Sequence, residues 1–581
     1  MSSSDATAFS PAAGVRNRVL LRGFEADCRQ AHAVDRAALC EILGDNAGTE
    51  FGRAHGFAAL AREPAAWRRA LPLQRYEDLA PWIERMAGGE ENLLVAEPVR
   101  FFAKTSGSTG AGCLIPTPRR HAATFIRFYA GIIPVVPAFG VPGGDEPHPG
   151  MALLSAADSG LRTAGGIPYG SASSGRMRRV RPIAEQLWTS PWPVFEVEDV
   201  ASQWYLHALF AVRDADTRYL WGLFAPHLVE WLRLLGEWRE ALVRDVADGR
   251  VAGWLRLSAA QRAALAERLR PDPPRARAVA AAFVGDDPRF VRRLWPRLRF
   301  AMTVITGAFA AHLPRLRRAL GDLPIYTSVY SSSEAMVGLN LEIDRPERYV
   351  LTPGTAHFEF IPIAEAGREQ PDTLGVAEVV EGERYEVVVT TRGGLYRYRL
   401  RDVVQVVGRR GQAPVLAFGW RQGTIVDLVG EHCTEAHLLA AVERACARVS
   451  GRGDALVDFT VHADVEAGPP RYVVYVELEA RVDADALAAA IDAALPGENH
   501  VYGNYRRGER IGAPAVRLLP AGGFRRLDAW RLARTPGVAA AQLKPARRVI
   551  DGEMLAWLEG QVEGSAWSGG GGPRGSSSAP R

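Results

Sequence analysis

The strongest indication of the fold is a strand–helix–strand pattern in the middle of the chain. The segments AMTVIT (301–306) and PIYTSVY (324–330) are short, apolar and rich in β-branched and aromatic residues, and a helical stretch separates them. Two strands joined by a helix are typical of a sheet that is covered by helices. Helical and strand-like stretches alternate from about residue 15 to residue 410. This alternation predicts an α/β fold for the larger part of the chain.

A different strand pattern occupies residues 375–409. Three runs, VAEVV (376–380), YEVVVTT (385–391) and LYRYRL (395–400), combine β-prone residues with alternating polarity. Glycine-containing turns separate the runs, which is typical of strands that pair in an antiparallel manner. We therefore expect three successive antiparallel strands in this region.

The pattern changes again beyond about residue 427. A helix at 435–449 is followed by two alternating strands, a helix at 483–494 and a short strand at 515–519, which predicts a small α+β domain. The glycine- and serine-rich end of the chain cannot bury enough apolar surface to become ordered. The predicted parts are an N-terminal domain over 15–426, a C-terminal domain over 427–560 and a disordered tail over 561–581.

Composition and charge exclude several classes of protein. Lys and Arg total 70 and Asp and Glu total 66, and the net charge of +4 is too small for a nucleic-acid-binding surface. The most apolar stretches contain prolines and are shorter than the ~20 residues of a membrane span. The five cysteines are scattered and form no CxxC pair, which disfavours a disulfide framework or a structural zinc site. We expect a cytoplasmic protein that binds neither nucleic acid nor membrane.

Lysine is almost absent from this chain. Only Lys104 and Lys544 are lysine among the 70 basic residues, and the other 68 are arginine. A bias toward arginine explains the composition but does not explain the two exceptions. An ammonium is a compact point charge and a guanidinium is a wide fork, so arginine does not replace lysine at every site. Each lysine is therefore a candidate for a specific task.

The most informative short segment is TSGSTGAG (105–112). Three of its eight residues are glycine and four carry a hydroxyl group. Glycine lets backbone N–H groups turn toward an anion, and the hydroxyls add further donors. The segment predicts a phosphate-binding loop, with a flexible surface loop as the alternative. A Walker loop is excluded, because Cys113 and Leu114 stand where that motif requires Lys and Ser or Thr.

Two further clusters follow predicted strands. The first is Tyr330–Glu334 (YSSSE), which combines an aromatic ring, three hydroxyls and a carboxylate. Such a group at a strand end suits base stacking, phosphate contact and Mg²⁺ ligation. The second is Gly394–Asp402 (GLYRYRLRD), in which an acid follows alternating aromatic residues and arginines. Taken alone, this second cluster reads as an exposed sheet face with a solvated aspartate.

Together and in this order, the three segments resemble the plant auxin-responsive acyl-acid amido synthetases and their bacterial relatives. That family lies within the adenylate-forming superfamily of acyl-CoA synthetases, nonribosomal adenylation domains and luciferases. Its loop matches TSGSTGAG, its Tyr-(Ala/Ser)-Ser-Ser-Glu and Gly-Leu-Asn-Leu match residues 330–341, and its Gly-Leu-Tyr-Arg-Tyr-Arg-x-x-Asp-Val matches residues 394–403. HFEFIPI (357–363) fits as well, and the resemblance covers about residues 20–550.

The resemblance implies both a fold and a reaction. The fold is a large N-terminal adenylate-forming α/β domain, with sheets covered by helices and a β-barrel-like part, and a small C-terminal α+β domain. The small domain is expected to rotate around residues 427–432. In the reaction a carboxylate attacks the α-phosphate of ATP to give acyl-AMP and pyrophosphate, and an amine or amino acid then takes the acyl group. ATP and Mg²⁺ are the expected cofactors.

Motif positions in the resemblance imply roles for individual residues. The residues that would cradle phosphate are Ser106, Gly107, Ser108 and Thr109. Tyr330 would line the adenine, Ser333 would contact the α-phosphate or the acyl carboxylate, and Glu334 would help to hold Mg²⁺. Asp402 would accept both ribose hydroxyls, a role that suits an ionised bidentate acceptor. Arg421 would contact the ribose just before the hinge.

Lys544 is the predicted catalytic cation, and Glu334, the expected Mg²⁺ ligand, is the second predicted catalytic residue. The family has a Gln-Tyr-Lys-x-Pro-Arg segment whose lysine enters the site for adenylation, and residues 542–547 read QLKPAR. An ammonium between carboxylate and α-phosphate would neutralise charge that grows in the transition state. The family often has two more lysines, where Cys113 follows the loop and where His432 lies in the hinge. Their absence puts pyrophosphate contacts and the strength of adenylation in question.

The acyl pocket is less clear from sequence. The helical stretch 121–132, Tyr169, Trp221 and Met336 are candidate lining residues, and core packing explains each of them equally well. We predict a monomeric, ATP-dependent synthetase that acts on a small carboxylic acid and an amine or amino acid. Two alternatives remain: an acyl-CoA or acyl-AMP ligase that passes the adenylate to a thiol, and a catalytically silent relative that binds the acid or nucleotide.

Overall fold

The computed structural model of this 581-residue chain describes ten stretches of residues. They are 11–105, 113–133, 149–283, 289–422, 426–431, 433–536, 538, 540, 543–549 and 551–562. Several residues of the sequence prediction lie outside these stretches. They are Ser106, Gly107, Ser108 and Thr109 of the glycine-rich loop, His432 of the hinge, Gln542 before the catalytic lysine, and the tail from 563 onward.

The chain forms two compact units. The first comprises Met1–Ile425, Thr434–Ala436 and Arg531–Pro545, and the second comprises Val426–Cys433, His437–Trp530 and Ala546–Arg581. The segment that carries Lys544 therefore belongs to the first unit. The domain boundary between residues 426 and 427 stays a prediction.

Helices and strands alternate through the first unit. Its helices are α1 (Pro11–Arg29), α2 (Ala31–Asp45), α3 (Glu50–Ala54), α4 (Phe57–Leu60), α5 (Trp67–Ala70), α6 (Tyr76–Ala87), α7 (Arg119–Ile126), α8 (Ala172–Met177), α9 (Ala184–Leu187), α10 (Trp192–Phe195), α11 (Val200–Arg213), α12 (Ala225–Glu237), α13 (Arg239–Asp248), α14 (Ala259–Ala266), α15 (Pro273–Ala282), α16 (Phe290–Leu294) and α17 (Leu313–Leu320). Its strands are β1 (Phe102–Lys104), β2 (Leu114–Pro116), β3 (Met151–Leu153), β4 (Tyr169–Ser171), β5 (Tyr219–Phe224), β6 (Phe300–Val304), β7 (Ile325–Tyr326), β8 (Val329–Ser331), β9 (Met336–Leu339), β10 (Arg348–Leu351), β11 (His357–Pro362), β12 (Leu374–Gly375), β13 (Arg384–Thr390), β14 (Tyr398–Arg410) and β15 (Ala413–Arg421).

A parallel sheet confirms the strand–helix–strand pattern. Its strand order is β3-β5-β6-β7, and all neighbouring pairs run parallel. The strands β6 and β7 come from the two apolar segments of the sequence prediction, and α17 lies between them in the chain. The helices of this region bury their apolar faces in a core in which Trp231 and Trp295 are fully buried. The predicted α/β class is correct for this part of the chain.

An eight-stranded antiparallel sheet contains β8 and β14, the strands that bear Tyr330 and Asp402. Its order is β12-β11-β13-β14-β15-β10-β9-β8, so β8 lies four positions from β14. In a flat sheet four strand spacings would separate these strands by about 19 Å. Tyr330 on β8 nevertheless forms a hydrogen bond to Asp402 on β14, with an O···O distance of 2.9 Å. The sheet must therefore curl strongly, as the β-barrel-like part of the prediction requires.

One predicted strand of this region is wrong. Only Leu374–Gly375 pairs there, as β12, and residues 376–380 of VAEVV form a turn and an irregular stretch. The Glu378 carboxylate accepts the N–H of Gly375 at 2.6 Å and pairs with Arg68 at 2.6 Å. This bond between residues three apart closes a turn that β propensity alone does not reveal. The strands predicted from YEVVVTT and LYRYRL are present as β13 and β14.

The second unit contains the predicted helix, two strands, helix and strand in that order, and its described part has three further helices that were not predicted. The helices and strands that lie wholly or mostly in this unit are α18 (Glu435–Ser450), β16 (Leu456–Asp464), β17 (Arg471–Leu478), α19 (Ala484–Glu498), α20 (His500–Arg507), β18 (Ala515–Leu518), α21 (Gly523–Arg534) and α22 (Gly552–Glu559). The strand β17 pairs with β16 in an antiparallel manner and with β18 in a parallel manner. Among the described helices of the whole chain, none combines the length and apolarity needed to cross a membrane.

Candidate active site

Tyr330 and Asp402 form the centre of the candidate site. Tyr330 lies on β8 and Asp402 on β14, and both side chains are buried. The Tyr330 hydroxyl donates to Asp402 Oδ2 at 2.9 Å. Burial and the neighbouring Asp402 carboxylate raise the pKa of Tyr330 well above its ordinary value, so its hydroxyl keeps its proton. Two of the three motifs found in the sequence thus meet through this bond.

Arg421 stands beside the same carboxylate. Asp402 and Arg421 are directly paired residues of the antiparallel strands β14 and β15. Arg421 Nη1 lies 3.7 Å from Asp402 Oδ1, and this carboxylate raises the pKa of Arg421. Burial raises the pKa of Asp402, although Arg421 partly offsets this effect. The pair therefore offers a permanent cation and a desolvated carboxylate side by side.

Lys544 joins this charge cluster. Lys544 is exposed to solvent, and partial desolvation by the neighbouring protein atoms lowers the pKa of its ammonium. Arg421 lowers that pKa further, whereas Asp402, Glu334 and Glu435 raise it. In turn, the Lys544 charge lowers the pKa of Asp402. The predicted catalytic cation is therefore close enough to the predicted nucleotide-binding residues to interact with them electrostatically.

Glu334 lies in a tight turn after β8. Its side chain is buried, and its backbone N–H donates to Ser332 Oγ at 3.2 Å. Arg176 braces the turn, because its Nη2 donates to the carbonyl oxygen of Ser332 at 3.1 Å and to that of Ser333 at 3.5 Å. Burial lowers the pKa of Arg176 to about 10, which leaves the guanidinium charged at neutral pH. These contacts fix the backbone that presents Ser333 and Glu334.

The ring of Tyr330 is held between other aromatic groups. Its centroid lies 5.9 Å from that of Tyr349 and 5.6 Å from that of Phe418. Gly338 on β9 pairs with Tyr330, and a Cβ at this glycine would lie 2.7 Å from Tyr349 Cβ. Gly338 thus allows the close approach of Tyr349, which in turn supports the ring of Tyr330. The ring orientation is set by packing before any ligand binds.

Two of the three arginines of the GLYRYRLRD motif have a structural role. Arg397 pairs with Glu359 at 2.8 Å and Arg399 pairs with Glu386 at 2.6 Å, and all four side chains are buried. The alternative of an exposed sheet face with a solvated aspartate is therefore wrong. These buried ion pairs link the start of β14 and the residue before it to β13 and β11. Asp402, further along β14, is buried as well.

The candidate acyl residues are only partly brought together. The stretch 121–132 is helical, as α7 and a following π-helical segment, Arg127–Ile132. Tyr129 in this segment stacks on Trp221 with centroids 6.4 Å apart, and its hydroxyl forms a hydrogen bond of 3.0 Å with Ser331 Oγ. This links an aromatic surface to the strand that bears Tyr330. Met336 is buried on β9, and Tyr169 faces Lys104 instead.

Sequence reasoning missed Arg176, Tyr349 and Phe418. Arg176 is one of 68 arginines, and nothing in its local pattern distinguishes it from an exposed one. The two aromatic residues read as ordinary strand residues. Only the curl of the sheet and the position of α8 bring these three side chains to the Tyr330–Glu334 segment.

The residues present fit an Mg²⁺ ion that is held mainly by a nucleotide. Glu334 supplies a buried carboxylate, the kind of oxygen donor that Mg²⁺ prefers. Among the described residues no three His, Cys, Asp or Glu side chains converge on one point. Mg²⁺ at phosphate-transfer sites commonly binds one or two carboxylates, the substrate phosphates and water, so a single carboxylate is compatible with it.

Comparison with known protein families agrees with this geometry. The GH3 family N-terminal domain matches residues 20–325, the GH3 family central domain matches residues 349–421, and the GH3 family C-terminal domain matches residues 436–553. The chain belongs to the GH3 family. The Asp402 segment falls within the second of these domains and Lys544 falls within the third, whereas the Tyr330 segment lies between the first and the second. The resemblance inferred from the three sequence motifs is thereby confirmed.

Individual GH3 proteins are similar over almost the whole chain. A probable indole-3-acetic acid-amido synthetase, GH3.4 of Oryza sativa subsp. japonica, is 32% identical over 97% of this chain and 94% of its own length. Indole-3-acetic acid-amido synthetase GH3.8 of Oryza sativa subsp. indica is 31% identical, covering 92% of this chain and 91% of its own. The solved structure of GH3.15 acyl acid amido synthetase is 25% identical with a TM-score of 0.81, covering 94% of this chain and 96% of that one.

Proposed function

We propose that this GH3 protein is an ATP-dependent acyl-acid amido synthetase that forms an acyl-adenylate and transfers the acyl group to an amine or amino acid. The observation that carries the proposal is the meeting of Tyr330, Asp402 and Arg421 at one place in the curled sheet. Lys544 adds a cation whose pKa is shifted by Asp402, Glu334 and Arg421. An ammonium in such a place suits a reaction that gathers negative charge from a carboxylate and a phosphate. The amido synthetases named among the relatives support the choice of a C–N bond-forming ligase.

Nucleotide binding would use the Tyr330–Asp402–Arg421 group. A carboxylate has about four lone-pair sites, so Asp402 can accept ribose hydroxyls in addition to the Tyr330 hydroxyl. The fixed ring of Tyr330 offers a flat face to the adenine. Arg421 stays charged and adds a donor beside the ribose. The glycine-rich loop with Ser106, Gly107, Ser108 and Thr109 would cradle the phosphates through N–H and hydroxyl groups.

Adenylation would depend on Lys544. In the transition state the carboxylate oxygen approaches the α-phosphorus while pyrophosphate leaves, and negative charge grows on the phosphoryl oxygens. The Lys544 ammonium would bridge the acyl carboxylate and the α-phosphate, and Ser333 would donate to the same group. Mg²⁺ would be held by Glu334 together with the nucleotide phosphates and would supply further charge neutralisation when bound. Rotation of the small domain around residues 427–432 would then admit the acceptor.

The acid and acceptor are proposed at the level of chemical class. Tyr129 and Trp221 form an aromatic surface close to the Tyr330–Glu334 segment, which suits a small, flat carboxylic acid. The relatives named as amido synthetases favour an amine over a thiol. A cytoplasmic monomer remains our expectation.

An ATP–pyrophosphate exchange screen tests the proposal. The expected result is carboxylate-dependent exchange with at least one acid from a panel of small aromatic and aliphatic acids. Acyl transfer is then measured for the active acid with amino acids, CoA and a carrier thiol. Transfer to amines supports an amido synthetase, whereas transfer to thiols alone would support a thiol ligase. No exchange with any acid would instead indicate a catalytically silent relative, consistent with Cys113 at a usual lysine position.

A further inference from the structure

The second lysine of the chain, Lys104, contacts the segment that carries Lys544. Lys104 ends β1, and its Nζ donates a hydrogen bond of 2.9 Å to the carbonyl oxygen of Pro536. The two residues are 432 positions apart in the chain. Residues 531–545 belong to the same compact unit as β1, so this is a contact within the first unit. It ties the Lys544 segment to the strand that precedes the glycine-rich loop.

Neighbouring groups hold the Lys104 ammonium in place. In its three-stranded sheet Lys104 pairs with Leu114 on one side and with Ser171 on the other. Its Nζ lies 5.8 Å from the centroid of the Tyr169 ring, within range of a cation–π attraction. Strand pairing fixes the backbone and the ring orients the side chain, so the ammonium is directed at one acceptor. A compact ammonium suits a single carbonyl oxygen, whereas the wide guanidinium fork suits paired acceptors.

Hydrogen bonds within residues 531–545 also hold the backbone of Lys544. Arg531 Nη1 donates to the carbonyl oxygen of Lys544 at 2.8 Å. Thr535, which directly precedes Pro536, donates through Oγ1 to the carbonyl oxygen of Arg531 at 3.0 Å. Two hydrogen bonds and the Thr535–Pro536 peptide bond therefore link Lys544 to Pro536. Fixing Pro536 consequently limits where the backbone of Lys544 can lie.

We propose that Lys104 is a positioning residue that stabilises the arrangement in which Lys544 lies near Asp402 and Glu334. Lys104 touches no reacting atom in this role and acts through Lys544. The inference rests on the adenylation reaction proposed above. The family often has a lysine where Cys113 follows the glycine-rich loop, whereas this chain has Lys104 just before the loop. The proposal gives a physical reason for that lysine: its ammonium binds the segment that carries Lys544 and does not bind the phosphates.

Hydrogen–deuterium exchange of the full chain tests the contact without relying on activity. Lys104→Met removes the donor and keeps a side chain of similar length. We expect roughly 3- to 10-fold faster exchange in a peptide spanning residues 531–545, the range for loss of one hydrogen bond of ordinary net strength. Peptides from β2 and β4 keep the exchange rate of the wild type. Arg100→Met, which removes an exposed cation four residues earlier, is the matched control and leaves both regions unchanged.

Unchanged exchange of residues 531–545 in Lys104→Met would overturn the proposal. Faster exchange throughout β2 and β4 as well would show a general loosening of the sheet and would overturn it too. A melting temperature near that of the wild type confirms that the variant is folded. Lys104→Gln is a second variant with the same expected result if Lys104→Met does not fold.

The two half-reactions test the positioning role. Lys104→Met is expected to lower pyrophosphate exchange roughly 3- to 10-fold and to leave transfer from a synthetic acyl-adenylate unchanged, because only adenylation uses the Lys544 ammonium. In a Lys544→Ala background Lys104→Met should cause no further loss, since its effect passes through that ammonium. Equal loss in both half-reactions, or additive loss in the double variant, would contradict the positioning role.

A failure of this inference is distinguishable from a failure of the proposed function. If the wild type shows no pyrophosphate exchange with any acid, the proposed function is wrong, and hydrogen exchange still decides whether Lys104 holds the 531–545 segment. If the wild type is active but Lys104→Met raises only the KM for ATP, without changing hydrogen exchange, Lys104 is a phosphate ligand and the positioning role is wrong.

Discussion

The hydroxyl of Tyr330 donates to the carboxylate of Asp402 across 2.9 Å, although the two residues are 72 positions apart and sit on strands four places apart in one sheet. This bond joins the only aromatic residue of the YSSSE segment to the only acid of the GLYRYRLRD segment. It exists because the antiparallel sheet curls and brings β8 over β14. The candidate nucleotide site is therefore a consequence of sheet curvature, and the following predictions test its parts.

Tyr330→Phe tests whether the hydroxyl of Tyr330 orients Asp402 for the ribose. The variant keeps the ring and loses one hydrogen bond of ordinary net strength, so ATP binding should weaken about 5- to 10-fold, corresponding to ~1–1.4 kcal/mol. Isothermal titration calorimetry measures the change. Tyr326→Phe is the matched control, because the Tyr326 hydroxyl is equally buried but donates to Asn340 O at 2.6 Å. It should lower the melting temperature without changing ATP affinity; equal ATP affinity in all three proteins would refute the assignment.

Lys544→Ala tests the catalytic cation. Removing a charge that acts mainly in the transition state should slow adenylation about 10²- to 10³-fold. Transfer from a synthetic acyl-adenylate to the amine should stay within about threefold of the wild type, since that step forms no bond to phosphorus. Single-turnover assays of the two half-reactions provide the measurement. Arg481→Ala, which removes an exposed cation of the second unit, should leave both rates unchanged. Equal slowing of both steps by Lys544→Ala would contradict the role of the ammonium.

Asp402→Asn should stabilise the fold while it abolishes nucleotide binding. Burial raises the pKa of Asp402 above its unfolded value, so the unfolded chain ionises more readily and the native state loses stability as pH rises through the unfolded value of about 3.9 toward neutrality. An amide has no such penalty. The variant should therefore melt at a higher temperature than the wild type at pH 7, and the difference should shrink toward pH 4. Asp322→Asn, at a side chain that is 92% exposed, should show no such difference at either pH.

A lower melting temperature for Asp402→Asn at pH 7 would show that the attraction of Arg421 and Lys544 outweighs the cost of burial. Calorimetric scans at pH 4, 5, 6 and 7 distinguish the two results. Asp402→Asn removes the negative charge that Arg421 and Lys544 share, since both cations lower the pKa of Asp402. The double variant Asp402→Asn with Lys544→Ala should therefore be more stable than Asp402→Asn alone. This gain arises from removing the repulsion between Lys544 and Arg421.

Gly338→Ala tests the packing that supports the Tyr330 ring. The new Cβ would lie 2.7 Å from Tyr349 Cβ, so the backbone of β9 or β10 has to shift. We expect a destabilisation of about 1–3 kcal/mol, typical of overpacking, together with weaker ATP binding because Tyr349 presses on Tyr330. Gly236→Ala is the matched control: this helical glycine has no atom within 4 Å of an added Cβ, and alanine should stabilise by ~0.5–1 kcal/mol. Thermal denaturation and ATP titration of both variants check the expectation; unchanged ATP affinity in Gly338→Ala would argue against this support.

Local patterns predicted much of this architecture. The strand–helix–strand of the parallel sheet and the order of elements in the second unit follow from periodicity and from turn residues, which act over a few positions. The same logic failed for residues 376–380, because a single side chain, Glu378, closes a turn that competes with strand pairing. The three motifs also identified the family. The roles of the individual site residues stay proposals.

What the amino-acid sequence determined on its own was the class of fold and the GH3 family, and it supplied the residues that we propose for the site. Only the tertiary structure decided how those residues meet. The curl of the sheet brings Tyr330 to Asp402, burial raises the pKa of that aspartate, and Arg176 and Lys104 reach across the chain to segments far from their own. Strand and helix preferences are local, whereas sheet curvature, desolvation and long-range hydrogen bonds depend on the packing of the whole first unit, which no short sequence pattern encodes.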